Sequence, residues 1–273
     1  MGIMRRTARI AMAAAMLAGV IGVSAASADE SCDAGPSWLY CGEHVRLQDL
    51  PLTFKTNAAD SPLATGKFRG AVQAALDEWN ESWPLEPGGE SCAALCLDGA
   101  TGKSEAARDG VNAIFWSATT SYPGCAGPEA AIARTCIWYE NGDPSSGRID
   151  EVDIVLNLSG SWATPSGAEA LAGEVAGTLY PDLGNMTVWS GAVGHGRGTF
   201  DLQSVLTHEF GHAIGIEHIG ADNGAWPFTA ADAPKYQQTM YRWYYEGTTN
   251  KRTLAEGDVI ALQLAAQASA NDP

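Results

Sequence analysis

The sequence predicts an α+β fold, because strand-like runs and helical stretches both occur along the chain. Four short runs are rich in β-branched and aromatic residues, and three stretches place apolar residues at helical spacing. A chain of 273 residues without a low-complexity linker can bury one sizeable core. We therefore expect one main domain.

The first elements are a strand and an amphipathic helix. Residues 52–56 suit a short strand, and residues 66–79 follow with apolar side chains at near-helical spacing. Residues 84–110 are rich in glycine, serine and cysteine, which favours a disulfide-held surface loop over a regular element. Residues 111–116 then predict another strand.

Two further β-rich runs, 136–139 and 149–156, are separated by the turn signals Asn-Gly-Asp-Pro and Ser-Ser-Gly. They predict a pair of neighbouring strands. Residues 159–198 are dominated by small residues with only short apolar patches, so we expect mainly loop there.

The clearest helix covers residues 201–214, where apolar residues trace one face and Asp201 is placed to cap the first turn. A final helix is expected to begin near Thr253, because Thr253 and Glu256 have the spacing of a capping box. Apolar side chains follow at Val259, Ile260, Leu262 and Leu264.

The N-terminal residues 1–28 have the pattern of an export signal. Arg5, Arg6 and Arg9 precede an apolar run and the small triplet Ala-Ser-Ala. We expect a secreted protein, with residues 29–50 as an N-terminal extension or short pro-segment and residues 51–273 as the main domain. The apolar run is shorter than the roughly 20 residues of a membrane span, so no membrane anchor is expected.

The composition is strongly acidic, with a formal net charge of −16 that becomes −19 once the three signal arginines are removed. Such a charge repels phosphate backbones and anionic lipids, so nucleic acids and membranes are poor candidate partners. The cluster Asp150, Glu151 and Asp153 makes calcium binding possible. A solvated strand face is the favoured interpretation of that cluster.

The cysteines point to an oxidising compartment. An even number of six follows the export signal, and their order suggests three local disulfides. Spacing alone cannot choose among the possible connectivities, and the CxxxC pair is the least certain. The candidates are Cys32, Cys41, Cys92, Cys96, Cys125 and Cys136.

The most informative stretch contains the pattern HExxHxxGxxH. His208 and His212 lie four residues apart, which places both imidazoles on one helix face. Gly215 stands where the helix must end and the chain must turn back, and His218 can then reach the same ion. The pattern predicts a metal site with three histidine ligands.

Three imidazoles leave one position of a tetrahedral zinc ion open for water, which is typical of a catalytic site. A water of lowered pKa beside a carboxylate supports hydrolysis, so Glu209 is the candidate general base. The same residue can return the proton to the leaving amine.

These residues resemble the metzincin clan of zinc peptidases, and the flanking sequence is similar to its matrixin branch, the matrix metalloproteinase-like family. The resemblance implies a twisted mixed β-sheet, an active-site helix and a C-terminal subdomain with a methionine turn and a final helix. Met240 is the residue that this resemblance assigns to the turn, as a hydrophobic floor below the metal.

The resemblance also implies that the residues after Met240 form a wall of the substrate pocket. Tyr241 and Tyr244 match the matrixin pattern, but Arg242 stands where that pattern has proline. A second, structural zinc is not expected, since only His44 and His195 remain beyond the three ligands. His195 is interpreted as an exposed loop histidine.

The sequence therefore predicts a secreted, zinc-dependent endopeptidase that acts on proteins or peptides as a monomer. Two alternatives stay open at this point. One is a catalytically silent binding module on a peptidase scaffold, which the retention of Glu209 disfavours. The other is a zinc hydrolase of a non-peptide amide or ester, because the mechanism does not select the acyl substrate.

Overall fold

The computed structural model divides the chain into two compact units, Met1–Ser31 and Cys32–Pro273, and the residues it describes lie in the second. Several parts of the sequence discussed above lie outside the described residues. They are the predicted signal, Cys32, Cys41, His44, His195 and Arg242. The described residues are 46–47, 50–83, 92–126, 131–142, 148–163, 170–171, 188–189, 199–218, 238–241, 244 and 248–270.

The described part of the chain has an α+β fold around a mixed six-stranded sheet. Its strands lie in the order β3-β2-β4-β6-β5, and the two-residue β1 lies beside the start of β6. All neighbouring pairs are parallel except β5 and β6, which are antiparallel. The strands are β1 (Arg46–Leu47), β2 (Leu52–Thr56), β3 (Leu95–Ala100), β4 (Asn112–Ser117), β5 (Ala133–Tyr139) and β6 (Arg148–Asn157).

The predicted strands at 52–56, 111–116, 136–139 and 149–156 are confirmed, as is the pairing of the last two. The loop prediction for 84–110 is wrong in part, since β3 lies within it. Leu95 and Leu97 of β3 align with Leu52 and Phe54 of β2. This pairing joins residues far apart in sequence, and local composition does not report it.

Two disulfides lie among the described residues, and both are local. Cys92 is bonded to Cys96 at the start of β3, and Cys125 is bonded to Cys136 of β5. Bridges of this kind are typical of an oxidising, extracellular environment.

The segment predicted to be mainly loop contains three short strands. They are β7 (Ser161–Ala163), β8 (Ala170–Leu171) and β9 (Val188–Trp189). β7 pairs in parallel with β10 (Thr199–Asp201), which leads into the second helix, and β8 pairs with β9 in antiparallel fashion.

The described residues contain three α-helices, α1 (Thr65–Ser82), α2 (Leu202–Ala213) and α3 (Glu256–Ala270). The predictions of the first two are confirmed, and Asp201 caps α2 by accepting a hydrogen bond from the Ser204 amide. The third helix begins at Glu256, three residues later than predicted. Asp258 in its first turn accepts from the Ala255 amide at 2.8 Å. No helix in the described residues is both long and apolar enough to cross a membrane.

The main core lies between one face of the sheet and the helices. Phe54 of β2 meets Phe210 of α2 edge to face, with ring centroids 5.2 Å apart. Trp79 of α1 is fully buried, and its indole N–H donates to the Thr207 carbonyl at 2.7 Å. These contacts fix α2, the helix that carries the HExxH residues, against the sheet.

The acidic cluster on β6 is solvated only at Asp150, so the interpretation as a solvated strand face is wrong for Glu151 and Asp153. Glu151 and Asp153 are 2% and 0% exposed, and the ammonium of Lys103 lies 3.0 and 2.8 Å from their carboxylates. Asp150 pairs at the surface with Arg108. The two buried carboxylates thus share the positive charge of one lysine, which lies 48 residues from Glu151.

Candidate metal centre

Helix α2 presents two of the three predicted ligands. His208 and His212 lie one turn apart on it, and their rings meet edge to face with centroids 4.8 Å apart. The sequence pattern required this juxtaposition, because the spacing of four residues is close to the helical repeat.

The end of α2 is closed by a Schellman motif centred on Gly215. The Gly215 amide donates to the His212 carbonyl and the Ile216 amide to the Gly211 carbonyl, both at 2.9 Å. Gly215 has a φ of 83°, which a residue with a side chain rarely adopts. The chain turns back here, and this turn brings His218 to the other two histidines.

The three imidazoles converge through their Nε2 atoms. His218 Nε2 lies 3.2 Å from His208 Nε2 and 3.2 Å from His212 Nε2. Two ligands of a tetrahedral ion with metal–nitrogen bonds of about 2.0–2.1 Å stand about 3.3 Å apart. The spacing therefore fits one small metal ion that all three histidines share.

The tautomers of the two helical histidines are set by backbone carbonyls. His208 Nδ1 lies 2.6 Å from the Thr239 oxygen, and His212 Nδ1 lies 2.8 Å from the Ile216 oxygen. A carbonyl only accepts, so each Nδ1 donates and each Nε2 keeps its lone pair for a metal.

His208 is suited to remain neutral. Burial lowers the pKa of His208 well below its ordinary value, and the charges of Lys251 and the other two histidines act in the same direction. A neutral imidazole is the form that binds a metal.

Glu209 lies in the same buried region, with 5% of its surface exposed. Burial raises the pKa of this carboxyl, while the nearby charge of His212 and a hydrogen bond from Thr135 oppose the rise. Thr135 Oγ1 stands 2.6 Å from Glu209 Oε2. The sequence analysis missed Thr135, because nothing along the chain links β5 to α2.

Met240 packs directly below α2. A Cβ built on Gly211 would collide with Met240 Sδ and would lie 2.9 Å from Trp79 Cζ2. The methionine is fully buried, and the glycine provides the space for it. The HExxHxxGxxH pattern allows any residue at position 211, so the sequence analysis did not identify this requirement for a glycine.

Asp258 of α3 holds the segment that supports His208, and sequence reasoning also missed it. Its carboxylate accepts from the Thr239 amide at 2.7 Å and from the Met240 amide at 2.9 Å. The Thr239 carbonyl then accepts from His208 Nδ1. Asp258 thus supports a candidate metal ligand, His208, through the backbone of Thr239, and hydrogen bonds of this kind tune the affinity of metal sites.

The two tyrosines predicted to line the pocket lie beside this segment. The Tyr244 ring meets the His208 ring edge to face at 5.2 Å, and its hydroxyl donates to the Val205 carbonyl at 3.3 Å. Tyr241 is buried, and its carbonyl accepts from the Lys251 ammonium. Lys251 Nζ also lies 4.2 Å from the centroid of the Tyr244 ring.

The buried ammonium of Lys251 was not predicted as part of this region. Burial lowers the pKa of Lys251 to about 7, against the opposing charges of Asp258 and Glu209. No composition or spacing signal identifies it, because its neighbours are brought together only by the fold.

Comparisons of the chain with models of known protein families and with curated proteins give no match. What the structure supports is an α+β fold with a mixed sheet and a cluster of three histidines. Of the predicted site residues, His208, His212 and His218 meet at one point, and Glu209, Met240, Tyr241 and Tyr244 lie in or around the surrounding segments.

Proposed function

We propose that this chain is a secreted, zinc-dependent endopeptidase of the matrixin-like metzincin type. The observation that carries the proposal is the convergence of three histidine Nε2 atoms next to a buried glutamate. A site that only stored or sensed a metal has no need of that carboxylate.

The donor set fits zinc. Three imidazoles at tetrahedral spacing are a common ligand set for catalytic zinc, and here backbone carbonyls orient the rings of His208 and His212. When bound, zinc supplies a water of lowered pKa and polarises the carbonyl that is attacked.

Glu209 moves the proton in this proposal. Its carboxylate accepts a proton from the attacking water and gives it to the departing amine, so that no covalent enzyme intermediate forms. Burial raises the pKa of Glu209, which makes this carboxylate a better base than an exposed glutamate. The hydrogen bond to Oε2 leaves Oε1 for the proton transfer.

The position of the site favours an extended peptide as substrate. Among the described strands, β5 lies at the edge of the sheet and pairs only with β6. Thr135 of this edge strand contacts Glu209. A peptide that adds to the free edge of β5 would pass beside the catalytic carboxylate, as peptides do on other exposed sheet edges.

Secretion is part of the proposal. The two disulfides support an oxidising compartment, and the N-terminal pattern supports export.

The test compares the zinc-loaded protein with Glu209→Gln in the hydrolysis of casein and of quenched fluorescent peptides. Glu217→Gln is the matched control, since this exposed glutamate lies in the same motif. We expect wild type and the control to cleave, and Glu209→Gln to lose at least about 1,000-fold in kcat, within the range that base and positioning effects provide. All three should hold about one zinc per chain.

Cleavage that survives in Glu209→Gln would contradict the assigned base. Zinc binding without cleavage of any peptide would instead support a binding module, and hydrolysis confined to small amides or esters would support the non-peptide alternative.

A further inference from the structure

We infer that Thr135 is a positioning residue for Glu209, which holds one carboxylate oxygen so that the other faces the reaction. This inference rests on the proposed function. Its evidence is the contact between the edge strand β5 and the active-site helix α2.

The contact is a single, strong hydrogen bond. Thr135 Oγ1 lies 2.6 Å from Glu209 Oε2 and 3.0 Å from the Glu209 carbonyl. A hydroxyl carries one hydrogen, and the shorter distance is typical of an O–H group donating to an ionised carboxylate. The hydrogen therefore goes to Oε2, and the carbonyl is the second acceptor within reach.

The fold holds Thr135 in place. It lies opposite Ile154 in the antiparallel pair of β5 and β6, so its side chain lies on the helix-facing side of the sheet. The next residue, Cys136, packs on the opposite face and is bonded to Cys125. A β-branched side chain has little χ1 freedom, so the hydroxyl has a defined direction.

The consequence for Glu209 is asymmetry between its two oxygens. Oε2 accepts from Thr135, and a carboxylate bonded in this way cannot rotate freely. Oε1 is left to accept the proton of the attacking water and to donate it to the leaving amine. Loss of the hydroxyl leaves the glutamate present but no longer fixed.

The experiment uses Thr135→Val, which keeps the shape and removes the hydroxyl, and Thr135→Ser, which restores it. Thr53→Val, an exposed threonine of β2, is the matched control. We expect Thr135→Val to lose about 10- to 100-fold in kcat with KM changed less than about threefold, since hydrogen bonds to charged groups are of this strength. Thr135→Ser and Thr53→Val should stay within about threefold of wild type.

A second measurement does not depend on turnover. Acetohydroxamate, a metal chelator whose N–H and O–H groups can donate to Glu209, is titrated into each zinc-loaded variant by calorimetry. Thr135→Val should bind it about tenfold more weakly than Thr135→Ser. All variants should match wild type in zinc content and melting temperature within a few degrees.

The outcomes separate the two proposals. A kcat for Thr135→Val within about twofold of wild type, with Glu209→Gln inactive, overturns the role of Thr135 and leaves the peptidase proposal intact. If the zinc-loaded wild type cleaves no peptide, the peptidase proposal fails. The role of Thr135 is then tested by the affinities of the variants for acetohydroxamate alone. Equal affinity in the valine and serine variants then overturns the positioning role.

Discussion

Two buried lysines of this protein lie in opposite electrostatic surroundings. The ammonium of Lys103 is within 3.0 Å of three carboxylates, those of Asp109, Glu151 and Asp153. Lys251 is 2% exposed, and its described polar partner is one backbone carbonyl, with the rings of Tyr241 and Tyr244 around it.

The difference shows that the partners of a lysine, together with the depth of its burial, determine its state. Burial on its own would lower the pKa of Lys103, but hydrogen bonds to Asp109, Asp153 and Glu151 raise it above its ordinary value. Lys251 is buried more completely, and this burial lowers its pKa to about 7, because its carboxylate neighbours Asp258 and Glu209 act only through their charge and not through hydrogen bonds. Lys103 is paired directly with a buried acidic cluster, and Lys251 lies near the candidate metal site with no described carboxylate in hydrogen-bond contact.

The largest expected effect is that of Lys103→Met. This substitution removes the ammonium that pairs with Glu151 and Asp153 and leaves both carboxylates buried without a cation. Breaking a buried pair in this way costs about 3–5 kcal/mol of unfolding free energy. Urea unfolding should show this loss against wild type. The exposed variant Lys67→Met is the control and should lie within about 0.5 kcal/mol of wild type. A loss below about 1 kcal/mol for Lys103→Met would contradict the pairing role.

The second prediction concerns pH, and the two lysines should respond differently. The folded pKa of Lys251 is below its unfolded value, so between about pH 7 and 10 the unfolded chain binds the proton that the native state has released. The free energy of unfolding contributed by this group therefore rises with pH in that window. The folded pKa of Lys103 is raised, so its stabilisation is constant there and is lost only at higher pH.

Urea unfolding at several pH values with saturating zinc measures this contrast. The stability of wild type relative to Lys251→Met should increase from pH 7 to 10. Burial raises the pKa of Asp153 to about 6 even beside Lys103, so the stability relative to Lys103→Met should become level only above about pH 9, where Asp153 is ionised in the variant as well. If the difference in unfolding free energy between wild type and Lys251→Met does not change with pH, the ammonium of Lys251 remains charged in the native wild-type protein.

The smallest expected effect is that of Lys251→Met at pH 7. The variant loses a hydrogen bond and a cation–π contact, but it also removes the cost of burying a charge. We expect the free energy of unfolding to change by less than about 1 kcal/mol. A loss comparable to that of Lys103→Met would show that Lys251 has a strong partner, and the contrast between the two lysines would fail.

Much of the fold could be predicted where the signal is local. The strand at 52–56, the helix near 66–79 and the pair of strands before residue 157 follow from composition and periodicity, and the structure contains all of them. Strand β3 was missed because its stability comes from pairing with β2, some 40 residues away. The final helix was placed too early, since Asp258 rather than Thr253 bonds the backbone at its start.

The sequence by itself determined the three-histidine cluster, because a spacing of four residues and a turn at Gly215 are properties of one continuous segment. Only the tertiary structure decided what surrounds that cluster. Three side chains around it come from distant parts of the sequence. Thr135 lies on β5, 74 residues from Glu209, while Asp258 on α3 and Lys251 in the turn before α3 lie 49 and 42 residues from it. Side chains so far apart meet through packing of the core and pairing of strands, and neither leaves a spacing signal along the chain.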